Sequence, residues 1–131
     1  MVVKSNTNAQ SNMALQLSSF NMQKDDYFVI VYQVLSYLYK QLKNGKPTVD
    51  SHSVVKAINP HIKADYWLYI IHSLFDGQYI TGKEVKYRYI GADPVNYDCE
   101  VTVLKITPKG IEYLQSNAMI EKAKDYLNTH I

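Results

Sequence analysis

Cysteine is all but missing from this sequence: Cys99 stands alone. A single thiol excludes an internal disulfide and any metal site built from cysteines. Lying within a predicted strand, it reads as an inert strand residue, and a reducing, cytoplasmic setting is the expectation. Long apolar runs are missing as well. No stretch approaches the roughly 18–20 apolar residues of a membrane span, and the N-terminus lacks the apolar core of a signal peptide. The few glycines do not form a nucleotide-binding phosphate loop. Charge of one sign is also scarce, since a net +2 is too little to argue for a polyanionic partner by itself. His52, His61, His72 and His130 have no paired spacing suited to a metal ion. Asp50, Ser51, His52 and Ser53 include the residue types of a hydrolytic triad, but neighbours at a helix cap cannot assemble its geometry. The expectation is a protein that is not an enzyme, with no catalytic residue, metal or cofactor.

Tyrosine is abundant, at 12 of 131 residues. It offers a large ring with a polar tip, equally useful half-buried in a core, at a protein interface or against nucleic-acid bases. Residues 1–21 are mostly Ser, Asn and Gln around one apolar cluster, too little to offset the entropy of ordering. They read as a mobile arm. Met22 makes a natural beginning for a single folded unit over 22–131, a length that can bury one core without staples.

The central stretch runs from Lys63 to Gly77. Trp67, Ile70, Ile71 and Leu74 recur at the spacing of one helical face, while Tyr66, Tyr69, Ser73 and Asp76 fall on the other side. Before it, the pattern predicts a helix over about 25–43 with Val31, Val34, Leu35, Leu38 and Leu42 inward, ended by Asn44-Gly45 and Pro47. Phe28, Tyr32 and Tyr39 make that helix apolar on a second side, so the C-terminal segment or a second molecule must cover it. A short strand at 47–49 and a brief helix from Asp50 or Ser51 to Ile58 follow, the helix facing inward through Val54, Val55 and Ile58. Ile62 and Trp67 can form a staple that sets the angle of approach to the central helix. Alternation then predicts strands over 79–90 and 99–106 around a turn at Gly91–Pro94. Thr107 and Pro108 open the next helix as cap and first residue. It breaks near Ser116-Asn117, before a last helix with Ile120, Ala123 and Leu127 on one side.

Helix, short strand, two helices and a hairpin make an α+β winged helix-turn-helix, a three-helix core with a small antiparallel β wing, plus C-terminal helices. The stretches Gly77-Gln78-Tyr79-Ile80-Thr81-Gly82 and Ile106-Thr107-Pro108-Lys109-Gly110-Ile111-Glu112-Tyr113-Leu114 resemble the strand-to-helix pattern of many winged-helix proteins. Over about 24–129 the chain is similar to the YjcQ-like family of small bacterial and prophage proteins. The resemblance implies a winged-helix fold with DNA as the expected ligand, and brings no catalytic residues. Winged-helix chains usually carry Gly directly before the aromatic–aliphatic pair, but here Gln78 precedes Tyr79-Ile80. The left-handed turn is therefore expected at Gly77; at Gln78 it would cost about 1–2 kcal/mol.

Two functions compete. From Lys40 to Arg88 there are eight cations against four acids, an asymmetry that favours phosphate contact. In the DNA reading, Lys56 and Lys63 join that basic half. Lys63, Tyr66, Tyr69 and Ser73 project from the central helix towards bases and phosphates. Lys83, Lys86 and Arg88 on the wing strand contact the backbone of double-stranded DNA. Against it, the helix has no Arg, Asn or Gln to read bases in bidentate fashion, Asp65 repels phosphate, and Asp93, Asp98 and Glu100 crowd the wing. The alternative is a protein-interaction or dimerisation module using Tyr32, Tyr39, Tyr66 and Tyr69. Any homodimer is expected to form through 25–43 and 117–131, whose helices should pack together.

Overall fold

The computed structural model describes residues 22–88 and 97–130, with side chains described at 22–83 and 102–130. The arm expected over 1–21 and the turn expected at 91–94 lie outside them.

The first helix, α1 (Tyr27–Lys43), starts at Asp26 and ends with Lys40 and Lys43 in its last turn, where cations complement the helix dipole. Three consecutive residues, Val29, Ile30 and Val31, are fully buried together with Val34 and Leu35, so no single stripe describes this helix. Leu42, expected in the core stripe, is only half-buried. Gly45, at φ +86°, closes the end: the Gly45 N–H reaches Leu42 O and the Lys46 N–H reaches Gln41 O.

A two-residue strand, β1 (Val49–Asp50), leads into α2 (Ser51–Ile58). Asp50 serves both, since its carboxylate caps α2 by accepting from the Ser53 N–H at 3.1 Å. After a turn, α3 (Ala64–Asp76) buries Trp67, Ile70, Ile71 and Leu74, the predicted face. Ile62 packs half-buried against the same core.

The end of α3 departs from expectation. Gly77 stays right-handed at φ −76°, and Gln78 takes the left-handed turn at φ +65°. The bonds explain why: the Gln78 N–H reaches Phe75 O and the Tyr79 N–H reaches Leu74 O, a helix-ending pair that puts its left-handed residue at 78. Gly77 is needed for another reason. A Cβ there would come within 2.6 Å of the Tyr79 ring.

Strands β2 (Ile80–Arg88) and β3 (Tyr97–Ile106) form an antiparallel hairpin, and β1 adds to the far side of β3 to give the order β1-β3-β2. Ile80, Leu104 and Ile106 close the core beneath α1 and α3. The hairpin register slips between Lys83 and Glu84. Helices α4 (Pro108–Ser116) and α5 (Ala118–His130) complete the described chain. Asn117 ends α4 and its side chain caps α5, accepting from Met119 and Ile120 N–H groups at 2.9 and 3.1 Å. Ile120 and Ala123 are buried, and both C-terminal helices pack on α1. The second apolar side of α1 is therefore covered by this chain itself. The class is α+β, five helices and a three-stranded antiparallel sheet among the described residues.

Candidate interaction surface on the third helix

The outward side of α3 follows from where its inward side is satisfied. At about 100° per residue, Tyr66 and Ser73 border the buried stripe, whereas Asp65, Tyr69 and Asp76 lie opposite it. The structure divides them in that way. The Tyr66 hydroxyl donates to the Asp25 carbonyl at 2.7 Å, and the Ser73 and Tyr27 hydroxyls are 2.7 Å apart. Both side chains are half-buried and tie α3 to the start of α1. Burial, with the nearby Asp25 and Asp26 carboxylates, raises the Tyr66 pKa above the usual tyrosine value. Tyr69, by contrast, is 67% exposed, the largest exposed apolar side chain among the described residues. Asp65 and Asp76 are exposed on the same side, and Ala64–Asp76 contains no Lys or Arg.

Of the eight residues expected to meet DNA, the structure therefore splits the four associated with α3. Lys63 and Tyr69 face solvent, while Tyr66 and Ser73 face α1. Lys56 is exposed in the last turn of α2, and Lys83 is exposed near the base of the hairpin. Lys86 and Arg88 pair through their backbones with Cys99 and Tyr97; their side chains lie outside the described ones, as does the expected acidic wing tip. Residue order places Tyr66 and Ser73 on one side with Tyr69 and Asp76, and their contacts with α1 separate them from the outward line of Asp65, Tyr69 and Asp76. The sequence signal of that separation is their angular distance from Trp67.

The two stretches that carried the resemblance meet in space. The Thr107 hydroxyl donates to Gln78 O at 2.7 Å and accepts from the Gly110 N–H at 3.0 Å, while the Thr107 N–H reaches Tyr79 O at 3.1 Å. Gly110 is buried, and the position needs glycine because a methyl there would strike the Tyr79 carbonyl. The Tyr79 ring lies 4.3 Å from that of Tyr113, with the Lys109 ammonium 5.0 Å from its centre. Burial, then the neighbouring Tyr27 and Tyr79, raises the Tyr113 pKa. Their chemistry is architectural: they lock the end of α3 to the start of α4 and so set how α3 is displayed.

Among the described residues, no helix is long and apolar enough to cross a membrane, and no three metal-ligating side chains cluster. No curated protein and no solved structure matches the chain. A family model described as YjcQ protein matches residues 32–129, from within α1 almost to the end of α5 and across both interlocked stretches. The chain belongs to the YjcQ family.

Proposed function

We propose that this chain is a winged-helix binding module, cytoplasmic and not an enzyme, whose α3 face meets a protein rather than the base edges of DNA. The winged-helix assignment is supported by the order α1-β1-α2-α3-β2-β3 and by the sheet order β1-β3-β2, in which α2 and α3 precede an antiparallel hairpin. The protein-facing assignment is carried by one observation: the outward line of α3 is Asp65, Tyr69 and Asp76, with Tyr66 and Ser73 bonded back onto α1. An acidic, tyrosine-centred face repels phosphates and lacks the bidentate donors that read bases. Tyrosine is the residue type enriched at protein interfaces.

Double-stranded DNA is the second reading. Exposed Lys56, Lys63 and Lys83 favour it, with Lys86 and Arg88 further along the wing strand. Such contacts would be to phosphates and would favour no sequence. A homodimer through 25–43 and 117–131 would have to use the outer sides of α1 and α5, since their facing sides pack on each other. Duplex-DNA binding, titrated with salt, decides between the readings. No binding near 50 mM salt supports the protein-facing module. Binding that weakens steeply with log salt, as several phosphate contacts require, overturns it in favour of a DNA-binding regulator or prophage accessory protein.

A further inference from the structure

We infer that the Asp65–Tyr69–Asp76 face of α3 docks a basic protein segment, with a cationic side chain over the Tyr69 ring and further cations at Asp65 and Asp76. The inference rests on the protein-facing reading above and names the partner's chemistry. Three observations carry it.

The first is Tyr69 itself. A ring 67% exposed in the middle of a helix whose other large apolar residues are buried or half-buried has no structural employment among the described residues. Its electron-rich face attracts guanidinium and ammonium groups, guanidinium most readily because it is planar and stacks.

The second is charge. From Ala64 to Asp76 the helix has two acids and no Lys or Arg, its one basic residue, His72, is half-buried, and both acids are exposed and flank Tyr69 on its own side. The complement of this face is cationic.

The third is the position of Asp76. Asp65 lies in the first turn, where a carboxylate complements the helix dipole. Asp76 is the last helical residue, where the dipole opposes a carboxylate. Helix stability accounts for Asp65 and fails to account for Asp76. At 1.5 Å of rise per residue, Tyr69 stands about 6 Å from Asp65 and about 10 Å from Asp76 along the axis. A docking segment therefore spans about 16 Å, with cations at both ends and an aromatic-seeking group between.

The test is selection of a random peptide library displayed on phage against the full chain. Enriched peptides should carry two or more Arg or Lys residues around a central Arg or apolar residue. Synthetic versions should lose about tenfold in affinity on Tyr69→Ala and again on Asp65→Lys with Asp76→Lys, variants whose unfolding midpoints match the parent. Enrichment of acidic or neutral peptides, no enrichment, or binding indifferent to these changes overturns the inference and leaves the protein-facing reading standing. Duplex-DNA binding by the parent chain that Tyr69→Ala weakens overturns both, since it would put α3 against nucleic acid. Tyr69 should also be among the first tyrosines nitrated by tetranitromethane in the free chain. Protection there, or a two-chain mass that Tyr69→Ala returns to one, would mean that the chain itself or a second copy covers the face, and overturns the inference.

Discussion

The indole N–H of Trp67 donates to the Ser51 hydroxyl at 3.0 Å, with Trp67 7% and Ser51 3% exposed. Ser51 opens α2 and Trp67 lies in α3, so one buried bond sets how the two helices meet. Because Asp50 caps α2, the Ser51 hydroxyl is released for this contact. Ser51→Ala leaves a buried donor without a partner and should cost about 1–3 kcal/mol. Trp67→Ala should cost about 3–5 kcal/mol, since it also opens a cavity. In urea unfolding, Ser51→Ala with Trp67→Phe should cost less than the sum of the single changes, the mark of a coupled pair.

Gln78 holds a left-handed conformation that favours glycine. Gln78→Gly should raise stability by about 0.5–1 kcal/mol, the relief of that strain exceeding glycine's larger loss of freedom on folding. Gly77→Ala should do the opposite, because its methyl meets the Tyr79 ring. Urea midpoints of the two variants should therefore move in opposite directions although the residues are neighbours.

Gly110→Ala drives a methyl into the Tyr79 carbonyl and should cost 1 kcal/mol or more, about 1–3 being usual for overpacking. Thr107→Ala removes a helix cap and should cost about 0.5–2 kcal/mol. In amide exchange, both should deprotect the start of α4 and the end of α3 together, since the two are bonded through Thr107.

Alkaline pH should destabilise the fold. Tyr66 and Tyr113 have folded-state pKa values raised above the ordinary 10.0, chiefly by burial. The folded state then holds these protons more tightly than the unfolded state. The stabilisation is complete below the ordinary tyrosine value and is lost as pH rises through the raised folded values. Urea midpoints against pH should fall above that value, and Tyr66→Phe and Tyr113→Phe should each make the fall shallower.

Tyrosines on one helix should separate by role. Tyr69→Ala should change stability by no more than about 0.5 kcal/mol, as an exposed surface residue does. Tyr66→Ala should cost more, because it removes half-buried packing and the bond to Asp25. Equal costs in thermal unfolding would contradict the division of the α3 surface drawn from these contacts.

Much of this protein was legible in residue order alone. Periodicity named the buried side of α3 residue by residue, because Trp67, Ile70, Ile71 and Leu74 satisfy a rule local to one helix. Cap chemistry located the start of α4 for the same reason, since Thr107 and Pro108 act within a few residues of themselves; Asn117, read only as part of a break, also caps α5. Three matters depended on elements far apart in the chain. Whether α1's second side was covered from within depended on α4 and α5 returning to it. Whether Tyr66 and Ser73 faced a partner or α1 depended on Asp25 and Tyr27, more than forty residues earlier. Gln78 rather than Gly77 took the left-handed turn because the bonds ending α3 require it there, while Gly77 makes room for Tyr79. Local patterns select helices, strands and caps; contacts between distant segments select which exposed side remains for a partner, and here they leave Asp65, Tyr69 and Asp76.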